Sequence, residues 1–199
     1  MTVTVAASGG EVRVEAFTSR TFTPTEERIL IAALGLIGRQ GVQRLGMAQI
    51  ADAAGVARGT LYRYFPSRDH VLAAAADYDE ARFSAGLDEV LDSVLAPEAR
   101  IGAFVTYAFD FIRRHPARGL FESEPGFVLS YLLDHLPALR SELTERLGDA
   151  LDTVPVVKAG DLDRDQLADI IVRLFASSWI IPESDETELV QSLSRILQI

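Results

Sequence analysis

Residues 49–68 read Gln49-Ile50-Ala51-Asp52-Ala53-Ala54-Gly55-Val56-Ala57-Arg58-Gly59-Thr60-Leu61-Tyr62-Arg63-Tyr64-Phe65-Pro66-Ser67-Arg68. Two short helical periods meet here at a glycine. Met47, Ile50 and Ala51 form the apolar face of the first, which ends near Ala54-Gly55-Val56. The second runs from Ala57 to about Tyr64, where Pro66-Ser67 breaks it. A helix-turn-helix needs a small residue where its helices approach, here Ala51, and a residue that tolerates a left-handed turn, here Gly55. It also needs apolar anchors to fix the crossing, and Ile50, Val56 and Leu61 are spaced to supply them. The second helix then turns Arg58, Thr60 and Arg63 outward, with Gly59 near its start allowing close approach of a phosphate or base.

Working outward, Thr23-Pro24-Thr25-Glu26 predicts a helix start, with Thr23 as N-cap, Pro24 at the first position and Glu26 closing a capping box. Apolar residues then recur at Leu30, Ala33, Leu34 and Ile37 until Gly41 stops the helix. Residues 1–22 have no helical period and read as a disordered arm, in which Arg13 and Arg20 are either solvated or available to DNA. Downstream, Ser67 caps a long helix from Arg68 into the low nineties. Ile101, Phe104, Val105, Ala108 and Ile112 make one stripe, ending at His115-Pro116. Phe127, Tyr131, His135, Leu139, Leu143 and Leu147 make another. Asp163 to Ile181 is a third long helix, closed by Pro182. Asp185-Glu186-Thr187-Glu188 opens the last, with Leu189, Val190, Leu193, Ile196 and Leu197 on its apolar face. The expected fold is all-α, with about nine helices. A three-helix N-terminal unit is joined by a long helix to a C-terminal helical bundle.

The 199 residues carry a net charge of −10, which taken alone argues against a polyanionic partner. The charge is unevenly spread. Residues 1–70 hold eight arginines against six acids, while residues 71–199 hold eleven bases against 23 acids. From Arg39 to Arg68 there are five arginines and one acid, Asp52. Such a split suits nucleic-acid contact at one end of the chain, though chance clustering of surface arginines gives the same count. With no cysteine there is no disulfide scaffold, thiolate metal site or cysteine nucleophile. Met1 to Ser8 lack the basic and apolar regions of a signal peptide, and the longest apolar run, Ile29 to Gly38, is about half a bilayer span. A cytoplasmic protein with no membrane partner is expected.

The segment "AGVxxGTLYxYF" within residues 54–65 resembles the tetracycline-repressor (TetR) family of bacterial regulators, and the likeness of motif covers roughly residues 25–75. By that resemblance, residues 23–70 form the DNA-binding domain and residues 71–199 the ligand-binding and dimerisation domain. Arg58, Gly59, Thr60 and Arg63 fall where the family meets base edges; arginine suits this because its guanidinium reaches guanine O6 and N7 together. Tyr62, Tyr64 and Arg68 fall where the family touches phosphates. The resemblance implies a ligand-responsive regulator, a repressor, binding palindromic double-stranded operator DNA as a homodimer. Two positions depart from the pattern. Leu45-Gly46-Met47 stand where hydroxyl residues are common, and Ala57 stands where a serine commonly caps the second helix. Each absence costs on the order of 1 kcal/mol. They keep open an alternative: a helical protein-interaction module that has lost specific DNA binding.

Half-sites one helical turn apart, or a multiple of that, require a dimer. The resemblance implies that the last two helices pair across a two-fold axis. Phe175, Trp179, Leu189, Leu193 and Ile196 are the interface candidates, with internal core an equal reading for Phe175 and Trp179. Phe104, Tyr107, Phe111, Phe127, Tyr131 and His135 are candidates for lining a pocket that takes a small, largely apolar effector. An aromatic stripe at this spacing also suits ordinary core. No catalytic residue, metal site or cofactor is expected. His70, His115 and His135 are scattered, no phosphate-binding or nucleophile motif occurs, and Asp161, Asp163 and Asp165 lack the rest of a calcium loop.

Overall fold

A computed structural model describes residues 21–181 and 186–197. Residues 1–20 of the expected arm, with Arg13 and Arg20, and the expected boundary at Pro182 and Asp185, lie outside the described residues. The described residues are all-α. The chain divides into two compact units between Ala85 and Gly86.

In the first unit, α1 (Pro24–Gln40) opens on the capping box expected at Thr23. The Thr23 hydroxyl accepts from the Glu26 amide at 3.3 Å, and the Glu26 carboxylate accepts from the Thr23 amide at 2.9 Å. Gly41 ends the helix, donating its N–H to Ile37 at 2.9 Å. The helix buries Ile29, Leu30, Ala33, Leu34 and Ile37, and packs on α2 (Met47–Ala54), which buries Ile50, Ala51 and Ala54. Gly55 then takes φ 63° and ψ 38°, the left-handed turn that a side chain would resist by about 1–2 kcal/mol. It leads into α3 (Arg58–Tyr64), whose one fully enclosed side chain is Leu61. Phe65, Val71, Ala74, Ala75 and Tyr78 complete this core, the last four on α4 (Arg68–Ser93). Phe22 stands edge-on to Tyr78 with ring centres 5.3 Å apart. Burial pushes the Tyr78 hydroxyl above the usual phenol range, against a smaller opposing pull from Arg82.

Helix α4 carries Leu87 and Leu91 into the second unit's core. There α5 (Pro97–Arg113) buries the expected stripe of Ile101, Phe104, Val105, Ala108 and Ile112, with Phe109 added. A Cβ at position 86 would sit 2.3 Å from the Tyr107 hydroxyl oxygen, so a larger residue there would push the Tyr107 ring aside. Next come α6 (Leu120–Ser123), α7 (Pro125–Leu147), a 3-10 turn (Gly148–Thr153), α8 (Pro155–Lys158), α9 (Arg164–Ile180) and α10 (Glu186–Leu197). Counting α6 and α8, the described residues hold ten α-helices rather than about nine. These two are single turns, too short to leave a period in the sequence.

The stripe expected on α7 holds only in its second half. Leu143 and Leu147 are buried, but Phe127 is 48% and Tyr131 46% exposed, and Val128 and Leu132 face inward instead. Pro137 sits within this helix, so the turn before it lacks one amide donor. Helix α7 packs along α9, where Thr144 donates to the Asp165 carboxylate at 3.2 Å. Asp163 caps α9, accepting from the Gln166 amide at 2.8 Å. Thus two of the three alternating aspartates serve a helix start. Arg164 then ties α9 to the 3-10 turn through Asp152 and Asp149, and its hydrogen bond holds the Asp152 carboxyl below the usual carboxylate range.

Candidate nucleic-acid interface

Helix α3 is seven residues long and has no side-chain cap at Ala57. So short a helix does not stand alone in water, and its conformation comes from packing. Leu61, completely enclosed, is the pin. With Leu61 inward, the 3.6-residue period turns positions 59 and 63 the other way and 60 and 62 to the flanks, while Arg58 is the helix's first residue, one turn before Leu61. Arg58, Gly59, Tyr62 and Arg63 are all exposed, while Thr60 and Tyr64 are half-buried at the margins. The Arg63 guanidinium lies 5.3 Å from the centre of the Tyr64 ring, a cation–π contact that limits its swing.

Arg68 opens α4 just past the break at Pro66, where the Ser67 hydroxyl accepts from the His70 amide at 3.4 Å. Its guanidinium donates to the Gln43 carbonyl at 3.5 Å and lies 3.7 Å from the Asp69 carboxylate, with its side chain 40% exposed. Arg68 thus bridges from the start of α4 to the α1–α2 loop and still shows a charged face to solvent. The seven residues singled out for base and phosphate contact lie on one continuous segment of the first unit, with no acid among them.

The hydroxyl-free start of α2 has no side-chain cap but is braced from the other side, a feature missed from the sequence. The Gln49 side-chain oxygen accepts from the Gly46 amide at 3.0 Å, which is the return half of a capping box. The same oxygen accepts from Gln40 at 3.1 Å, and Gln40 also donates to the Arg44 carbonyl at 3.2 Å. The signal was present as a glutamine at the third helical position.

In the second unit, Phe104 is buried on α5, and Tyr107 lies beside Phe111 with ring centres 6.2 Å apart. Phe111 continues to His115 at 5.6 Å, and His115 to Trp179 at 4.8 Å. His115, read from sequence only as a helix stop, is buried and accepts from the Ala117 amide at 3.1 Å. Tyr131 and His135 stack on one another at 4.0 Å on α7, with Tyr131 46% exposed. An open groove of about 380 Å³ between the end of α4 and α5 has Tyr107 in its wall, beside Ser93, Thr106 and Asp110. Of the interface candidates, Phe175 packs edge-on to Phe109 and Trp179 against His115, while Leu193 is 5% exposed and Ile196 72%. Among the described residues no cluster of His, Cys, Asp or Glu could hold a metal ion, and no helix is long and apolar enough to cross a membrane.

Residues 29–75 match the family model described as bacterial regulatory proteins, tetR family. The HTH-type transcriptional repressor KstR of Mycobacterium tuberculosis is 34% identical over 90 residues, which is 45% of this chain and 41% of that protein. The nucleoid occlusion factor SlmA of Photobacterium profundum is 29% identical over 129 residues, 65% of each chain. The chain therefore spans less than half of KstR and just under two thirds of SlmA. Among solved structures, the fatty acid degradation regulator FadR from Bacillus halodurans superposes with a TM-score of 0.67 at 22% identity, over 89% of this chain and 96% of that one. The ketosteroid regulator KstR2 of Mycobacterium tuberculosis gives 0.59 at 20% identity, over 89% and 94%. At those identities the likeness is one of fold.

Proposed function

The chain belongs to the TetR family of helix-turn-helix regulators, and from that premise we propose that it is a ligand-responsive repressor that binds palindromic double-stranded operator DNA as a homodimer. Residues 23–70 read DNA, and residues 71–199 hold the effector and the dimer contact. The observation that carries this is the exposure of Arg58, Gly59, Tyr62 and Arg63 around a completely enclosed Leu61. Arg58, Gly59, Thr60 and Arg63 meet base edges, while Tyr62, Tyr64 and Arg68 hold phosphates; base contacts specify sequence and phosphate contacts set register. The Gln49 oxygen on the Gly46 amide braces the start of α2 although no hydroxyl caps it.

The deciding experiment is a salt-dependent gel shift on the DNA upstream of the protein's own coding sequence. Sequence-specific binding that falls steeply with salt is expected; binding to no genomic fragment would leave the interaction-module alternative. Within it, Arg68→Ala should weaken specific and non-specific DNA alike and lower the salt slope by about 1. A loss confined to one operator would remove Arg68 from the phosphate set.

The dimer contact falls on the last two helices, where Ile170 and Ile196 are open to solvent and Phe175 and Trp179 are half-buried against Phe109 and His115. Ile196→Asp should raise the dimer dissociation constant in sedimentation equilibrium while the monomer's melting midpoint stays put. The effector is small and largely apolar, and is received near the Phe104, Tyr107 and Phe111 face of α5, with Phe127, Tyr131 and His135 of α7 the remaining candidates. It acts only through a difference in affinity between DNA-competent and released conformations, since equal affinity shifts nothing.

A further inference from the structure

The α1–α2 loop carries an arginine that the motif leaves unassigned. Arg44 is exposed, next to Leu45, which is 3% exposed and buried in the first unit's core. Its backbone is fixed. Gln40 donates to the Arg44 carbonyl at 3.2 Å and to Gln49 at 3.1 Å, and Gln49 in turn accepts from the Gly46 amide at 3.0 Å. The loop is therefore tied to the last residue of α1 and to the first turn of α2. On its other side, Arg68 donates to the carbonyl of Gln43, the residue immediately before Arg44, at 3.5 Å. Two guanidinium-bearing residues thus meet at one peptide unit. Among the described residues the Arg44 guanidinium enters no ion pair. Gly46 and Met47, at the start of α2, offer no side-chain donor to a phosphate passing there.

We propose that Arg44 is a second phosphate anchor that grips the nucleic-acid backbone together with Arg68, in place of the hydroxyl that Gly46 and Met47 lack. This rests on the DNA-binding reading above. The fixed backbone means that only the side chain is ordered on binding, which limits the entropic cost. Arginine meets a phosphate through two parallel hydrogen bonds, and the contact carries no sequence information.

The test is fluorescence anisotropy with the full chain on its upstream DNA and on a scrambled duplex, across a salt series, for wild type, Arg44→Ala, Arg44→Lys, Arg68→Ala and Arg28→Ala. Arg28 is an exposed arginine of α1 and serves as the control. Arg44→Ala is expected to weaken both duplexes equally, by roughly tenfold, and to lower the log–log salt slope by about 1. Arg44→Lys should keep the slope, and Arg28→Ala should match wild type. Unchanged slope and affinity in Arg44→Ala, beside a lowered slope in Arg68→Ala, would overturn the role of Arg44 and leave the DNA-binding reading intact. A wild-type chain that binds neither duplex would overturn both. A loss on one duplex only would make Arg44 a base reader, and a lowered melting midpoint would make it a loop brace; either result ends the proposal.

Discussion

Leu61→Ala should lower the unfolding free energy by about 2–5 kcal/mol, seen as an earlier urea midpoint at unchanged slope. Leu61 is wholly enclosed, and it is the only buried residue within α3. Truncation removes its transfer free energy and leaves a cavity in the first unit's core, which helix geometry cannot readily close. Because α3 has neither the length nor a side-chain cap to hold itself, the same change should also abolish DNA binding. Tyr62→Ala is the counterpart on the open side of the helix, where Tyr62 is 51% exposed. It should move stability by no more than about 0.5 kcal/mol while still weakening DNA binding. If the two substitutions cost equal stability, Leu61 is not the pin.

The second large effect belongs to the pair Arg58 and Arg63. Each single alanine substitution should cost about 1–3 kcal/mol of specific binding and relax the preference at one base pair. Together they should bring operator affinity down towards the non-specific level. The two sit beyond one helical turn from each other, so if each meets its own base pair, as proposed, their effects should come close to adding. A competition assay with single-base operator variants separates the outcomes. If the double variant keeps its preference and loses only overall affinity, both arginines are phosphate ligands, and base reading must lie with Gly59, Thr60 or residues outside α3.

How much of this could be read beforehand varied with the range of the forces involved. The box at Thr23 and Glu26, the stop at Gly41 and the left-handed turn at Gly55 are set by residues three or four apart, so the sequence carries them in full. Leu61 and Ile50 were legible as anchors because a motif with fixed spacing constrains them. The face of α7 was not. Phe127 and Tyr131 match the period of Leu143 and Leu147, yet the inward positions near the start of α7 are Val128 and Leu132, chosen by the neighbours α7 packs against. Nor could the sequence separate core from contact at Phe175 and Trp179, whose partners Phe109 and His115 lie more than sixty residues away along the chain. Gln49 was visible as a residue type, but its double role depends on Gln40 arriving from another helix.

The division between the two units falls inside α4, a helix of 26 residues, and not in an extended linker. Proteases cleave chain that can be drawn out straight in their clefts, which is why nicking concentrates at loose connections. At Ala85–Gly86 that would require unwinding helix on both sides and pulling out Ser84, 6% exposed, and Leu87, 1% exposed. Brief trypsin or subtilisin digestion should therefore fail to release the halves as separate fragments, and the first cuts should fall elsewhere in the chain.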